Sequence, residues 1–192
     1  IVRPLRVGEQ VRKRTTIQSI TEKQGRSGQL VFVQLEERFE DDAGLLLIEE
    51  RHIVYREPRP LIPSPSPPTR DEFAAELRRP WQPDPVLLFR YSALTWNSHR
   101  IHYDHCYATA VEGYPALVVH GPLLATLMCL VAEELCEGFL SQFAFRARAP
   151  LYVDRPLVVE ARVKRDGVER IVQARVLGDD GRLAMEGEGK PG

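Results

Sequence analysis

Cysteine is scarce in this chain, and the three present (Cys106, Cys129 and Cys136) form no CxxC pair. That odd number argues against a disulfide framework. Cys129 and Cys136, seven positions apart in a stretch with helical character, read as small core residues. No uninterrupted apolar run approaches the length of a bilayer span. The first residues do not combine positive charge with an apolar stretch, as a signal peptide would. An excess of one charge sign is missing too: 26 Lys and Arg stand against 27 Asp and Glu, for a net charge of −1. Basic and acidic residues are interspersed without a stripe, so neither a nucleic-acid groove nor a polybasic membrane surface is expected. The expectation is a soluble, cytoplasmic protein, or one of the mitochondrial matrix if the source is eukaryotic. The chain begins at Ile1 without a methionine, and residues upstream of it are expected to belong to the same protein.

What is present suffices for a sizeable core, since 43% of the residues are hydrophobic. Between Val7 and Arg56 the pattern alternates strands and turns. Thr15–Ile20, Leu30–Leu35 and Leu45–Tyr55 are separated by Gly25-Arg-Ser-Gly28 and Asp41-Asp-Ala-Gly44, which predicts an antiparallel meander. From Glu57 to Pro85 lie nine of the fifteen prolines. Proline lacks a ladder donor, so this stretch is expected to be an extended connector with a helical turn near Asp71–Arg78. Val86–Tyr91 reads as a strand. Gly121-Pro122 then opens a helix over Leu123–Glu137, apolar nearly all round until its last turn. Strands follow at Gln142–Ala149, Leu157–Lys164, Arg170–Leu177 and Arg182–Glu188, with the alternation of a half-buried sheet. One buried helix and many antiparallel strands make an α+β order. It suits a sheet curled around a central helix. The expected divisions are 1–56, a partial N-terminal sheet; 57–85, the connector; and 86–192, the complete unit.

Four of the five histidines fall between positions 99 and 120. Histidine titrates nearest neutrality, so such a cluster suggests proton transfer or metal binding. The metal reading is weak, because Arg100 stands between His99 and His102 and its fixed charge opposes a dication. The acid–base reading is stronger. A histidine near a helix N-terminus combines a proton acceptor with unpaired backbone N–H groups that polarise a carbonyl. For any single histidine here, capping or solvation is an ordinary alternative; for His102 within its segment the catalytic reading is preferred.

The segments Asn97-x-His-x-Ile-His102-x-Asp104 and His120-Gly121-Pro-Leu-Leu124 resemble the hydratase-2 motif of the MaoC-like (R)-specific enoyl-CoA hydratases. Tyr91–Asp104 and Glu112–Leu123 are similar to the branch with type 2 hydroxyacyl-thioester dehydratases and the mesaconyl-C4-CoA and itaconyl-CoA hydratases. Leu30–Val33 and Ile53–Tyr55 are similar to its front half. The resemblance implies a hot-dog fold, an antiparallel sheet wrapped around a central helix, arranged as a double hot-dog whose first unit is incomplete in this chain. It implies a hydro-lyase acting on a 2-enoyl or 3-hydroxyacyl thioester carried by coenzyme A or acyl carrier protein. It further implies a homodimer, with no metal and no cofactor beyond the coenzyme A of the substrate.

Matched residue by residue, Asn97 stands where the broader family has a catalytic aspartate, His99 at its asparagine, Arg100 at its proline and His102 at its histidine. An amide cannot serve as a carboxylate base, although its oxygen can orient water. Two arrangements follow: His102 as principal base with Asn97 positioning water, or Asp104 supplying the carboxylate from the same side of an extended segment. The Gly121 amide is assigned to the thioester oxygen, and His99, Arg100, Tyr114 and His120 to substrate binding. Two rival functions remain in view. One is a hot-dog thioesterase, for which Glu133 and Glu134 lie too far along the helix. The other is a non-catalytic acyl-thioester-binding subunit.

Overall fold

The computed structural model describes residues 1–25, 28–56, 73–166 and 169–192. The chain divides into two compact units, Ile1–Arg59 and Pro60–Gly192.

The first unit is a three-stranded antiparallel meander, β1 (Arg12–Gly25), β2 (Gly28–Asp41) and β3 (Gly44–Arg56), in the order β1-β2-β3. The second reversal is closed by Asp41, whose Oδ1 accepts from the amides of Ala43 and Gly44, while Gly44 takes φ of +132°. Within this unit Leu46 and Glu37 are the buried hydrophobic and charged side chains among the described residues. The Glu37 carboxylate is held across both neighbouring strands, by Lys13 at 2.8 Å and Arg51 at 2.6 Å. The predicted meander is present.

The second unit carries a five-stranded antiparallel sheet in the order β4-β6-β7-β8-β5, with β4 (Leu77–Trp81), β5 (Leu140–Ala147), β6 (Leu157–Asp166), β7 (Glu169–Gly178) and β8 (Leu183–Pro191). Against it packs α2 (Gly121–Cys136), preceded in the chain by α1 (Pro85–Thr95). The alternation read from the sequence puts Val159, Ala161, Val172, Ala174, Val176 and Met185 on the inner face. There they meet Leu124, Leu127, Met128 and Val131 of α2 in one buried cluster. This is the hot-dog arrangement.

Three expectations need correction. Val86–Tyr91 is not a strand but the body of α1. Asp84 accepts the Leu87 amide at 2.7 Å and Pro85 opens the first turn, two start signals that outweigh the apolar run. The helical turn expected near Asp71–Arg78 falls partly outside the described residues, and its end is strand. Leu77–Trp81 pairs with β6 and so belongs to the second unit's sheet rather than to a connector. Pro80 is accommodated because β4 is an edge strand, where one side of the ladder has no partner to lose. Finally, α2 is not apolar-packed nearly all round. Thr126 and Leu130 are exposed, Leu130 at 56%, so only the face toward the sheet is enclosed.

Candidate active site

The reach from Trp96 to His120 is an irregular excursion between two helices, and three of its histidines, His99, His102 and His120, converge. Trp96 caps α1 in the left-handed region at φ 53°, which returns the chain so that the Asn97 amide donates to Ser92 O at 2.9 Å. A 3-10 turn over Arg100–His102 follows. This turn carries Ile101 into the core and leaves His102 only 7% exposed.

The His102 ring is oriented by the backbone: Nδ1 lies 2.7 Å from Val118 O. A carbonyl oxygen only accepts, so Nδ1 carries the proton and donates. Burial pushes the pKa of this imidazole below the usual histidine range; the bond to Val118 opposes that shift and His99 adds to it. At neutral pH the ring is therefore uncharged. Its Nε2 bears a lone pair, and among the described residues no protein group is hydrogen-bonded to it. A neutral imidazole with a fixed tautomer and an unengaged Nε2 can accept a proton there.

His120 stands at the N-cap of α2 and is fully buried. Its ring stacks on that of His102, with centroids 3.8 Å apart and planes at 17°. Its Nε2 is 2.8 Å from Ser92 Oγ, and Tyr91 meets the ring edge-on at 4.9 Å. Desolvation, with His102 beside it, pushes its pKa down to about 4. Next to this ring comes Gly121, the first residue of α2, whose amide has no acceptor within the helix. Pro122 has no N–H, so the N-terminal end offers fewer donors and Gly121 supplies the first. A Cβ on Gly121 would meet only Met185 Cε, at 3.8 Å. The fold does not demand glycine here.

Asn97 is half-buried, and its Oδ1 accepts from the His99 amide at 3.1 Å. One lone pair and the amide N–H groups are left for a ligand. Asn97 also lines a pocket of about 370 Å³ with Phe89, Ser92, Ala93, Trp96, Ser98 and Tyr103.

Asp104 is placed differently from the second sequence arrangement. The backbone is not extended after His102, with Tyr103 at φ −141° and ψ −13°, and Asp104 is bonded elsewhere. One Asp104 oxygen accepts the Tyr107 amide at 3.0 Å and the other takes Arg100 at 2.8 Å. The Tyr107 amide and then the Arg100 guanidinium hold this carboxyl below the usual range. Asp104 thus caps the π-helical turn Tyr107–Val111.

Of the residues assigned to substrate binding, His99 is exposed and edge-on to His102 at 5.6 Å. Arg100 is engaged by Asp104 and lies over the Tyr107 ring. Tyr114 is half-buried against Tyr152. The His120 ring is fully buried. Ser92 and the Val118 carbonyl went unnoticed in the sequence. The Asp84-Pro85 helix start was the available signal for Ser92, because a helix begun there carries Ser92 in its last turn.

The family model of hydroxyacyl-thioester dehydratase type 2 matches residues 1–153. A mesaconyl-C(4)-CoA hydratase of Chloroflexus aurantiacus is 43% identical over 182 residues, covering 95% of this chain and 64% of that protein. The chain thus spans less than two thirds of that relative's length. The mitochondrial hydroxyacyl-thioester dehydratase type 2 of Schizosaccharomyces pombe is 43% identical over 79 residues, 39% of this chain and 26% of that protein. A solved MaoC-like dehydratase from Phytophthora capsici shares the fold at a TM-score of 0.75, with 17% identity over 100% of this chain and 66% of that one. The chain belongs to the hydroxyacyl-thioester dehydratase type 2 family.

Proposed function

We propose that this protein is a hydro-lyase that adds water reversibly across the double bond of a 2-enoyl thioester, giving the 3-hydroxyacyl thioester. The observation that carries the reading is the neutral, tautomer-fixed His102 with its unengaged Nε2, one ring away from the N-terminus of α2. In hydration, His102 Nε2 takes a proton from water as the oxygen bonds to the β-carbon. The π electrons move to the α-carbon and thioester oxygen as an enolate. The Gly121 amide and the positive end of α2 stabilise that charge. The imidazolium returns its proton to the α-carbon, and the ring is neutral again. Asn97 orients the water. Dehydration is the reverse.

A mesaconyl- or itaconyl-type coenzyme A ester is the substrate class best supported, through the 43% identity to the Chloroflexus hydratase. No metal or redox group is needed for these steps. A homodimer and a double hot-dog arrangement fit the reading. The thioesterase alternative needs a free carboxylate on α2, yet Glu133 accepts the Leu140 amide and Glu134 pairs with Arg79.

Incubation with mesaconyl-C4-CoA, itaconyl-CoA and crotonyl-CoA, with product masses read out, tests this. One ester should gain the mass of water. His102→Ala should lower that rate by about 10²–10⁴-fold. Release of free coenzyme A instead would establish thioester hydrolysis, and binding without conversion would establish a binding subunit.

A further inference from the structure

Ser92 is polar and yet only 5% exposed, in the last turn of α1. Its Oγ lies 2.8 Å from His120 Nε2. The other nitrogen of that ring, Nδ1, is buried with no hydrogen-bond partner. Buried polar atoms are nearly always partnered, so an orphan is kept where something else requires the group. Nothing about helix capping explains it, since the His120 side chain makes no cap hydrogen bond.

What the ring does is cover His102. It stacks face to face on it, while Tyr91 of α1 closes on His120 from the edge and His99 meets His102 from the edge. These are the titratable groups facing the pair, and among the described residues no carboxylate bonds to either ring. We infer that Ser92 and His120 are positioning residues for His102: the hydroxyl fixes the His120 ring, and that ring clamps His102 against the Val118 carbonyl with Nε2 left for proton transfer. Two imidazolium rings stacked at 3.8 Å would repel, so the pair has room for one proton. His120, with its pKa pushed down to about 4, leaves that proton to His102. This division of labour rests on the hydro-lyase reading of His102.

The test compares Ser92→Ala, Ser92→Thr and His120→Phe in the full chain, with crotonyl-CoA and mesaconyl-C4-CoA as probes. Titration of the His102 ring by NMR of ¹⁵N-histidine-labelled protein gives a readout that needs no turnover. Ser92→Ala should lower kcat by about ten- to a hundredfold, the scale of a small misplacement, with KM within about twofold. Its His102 midpoint should rise toward the ordinary histidine range, and the acid limb of the rate profile should move with it. Ser92→Thr keeps the hydroxyl and should restore both. In a His120→Phe background, Ser92→Ala should change nothing further, because the hydroxyl then has no ring nitrogen to hold.

A folded Ser92→Ala protein with native kcat and a native His102 titration would overturn the inference. So would an equal loss from Ser92→Ala with and without His120. The hydro-lyase reading fails separately, through an active His102→Ala or a wild-type protein that hydrates neither probe; in that second case the ring titration still decides the roles of Ser92 and His120.

Discussion

His102 and His120 lie face to face at 3.8 Å between ring centroids, although eighteen positions separate them in the chain. One ring is anchored by a backbone carbonyl and the other by a serine hydroxyl on a different helix. Both have a lowered pKa, and burial is the chief cause in each case.

Stability should therefore depend on pH through these rings. An unfolded histidine takes its proton near pH 6.5, whereas folded His120 takes one only near 4. Between these values the unfolded chain binds more protons, so stability is complete above pH 6.5 and falls as pH drops toward 4. The loss attributable to His120 should reach about 3 kcal/mol below pH 4. Urea unfolding of wild type and His120→Phe at a series of pH values measures it; parallel curves would show that His120 does not contribute.

The rate should resist mild acid for the same reason. In the proposed mechanism hydration needs neutral His102, whose pKa lies below the usual histidine range. The acid limb of kcat should fall below pH 6.5. A limb above that value would place the titrating base elsewhere.

Gly121 separates donor from shape. Proline at the first helical position fits the backbone and removes only an N–H that has no partner in the helix. Gly121→Pro should leave the fold intact and cost about 10²–10³ in kcat. Gly121→Ala keeps the donor, and its Cβ has ordinary room beside Met185. Equal rates for wild type and Gly121→Pro would remove this amide from the mechanism.

Asn97 and Asp104 should behave differently. Asp104→Asn keeps an oxygen for the Tyr107 amide, so turnover should change less than about threefold, as expected of a group that bears no proton in the step. Asn97→Ala deletes the acceptor assigned to water and should lower kcat by tenfold or more. Reversal of this order, measured over pH on one thioester, would make Asp104 the second catalytic group.

Gly187 of β8 tests the packing of sheet on helix. An added Cβ would lie 2.7 Å from Ala144 O of the neighbouring strand and 3.2 Å from Met128 Cε of α2. The carbonyl belongs to the ladder and cannot retreat freely. Gly187→Ala should cost about 1–3 kcal/mol, read as a lower urea midpoint at unchanged slope.

The sequence by itself determined the first meander, the last four strands and the long helix, because side-chain period follows local geometry: alternation over Leu157–Lys164 faces one side of a sheet inward, and Gly121-Pro122 can open a helix but hardly continue a strand. It determined the family too, since the motif from Asn97 to His102 and the pair His120-Gly121 are contiguous words. Only the tertiary structure decided that Val86–Tyr91 is helical, because a short apolar run suits either state until Asp84 is seen bonding the Leu87 amide. It alone bonded Asp104 to Arg100 and the Tyr107 amide, after a 3-10 turn whose direction no periodicity announces. And it alone joined Ser92 to His120 and His120 to His102. Those contacts cross from one helix to the start of another, where spacing in the chain carries no information about distance in space.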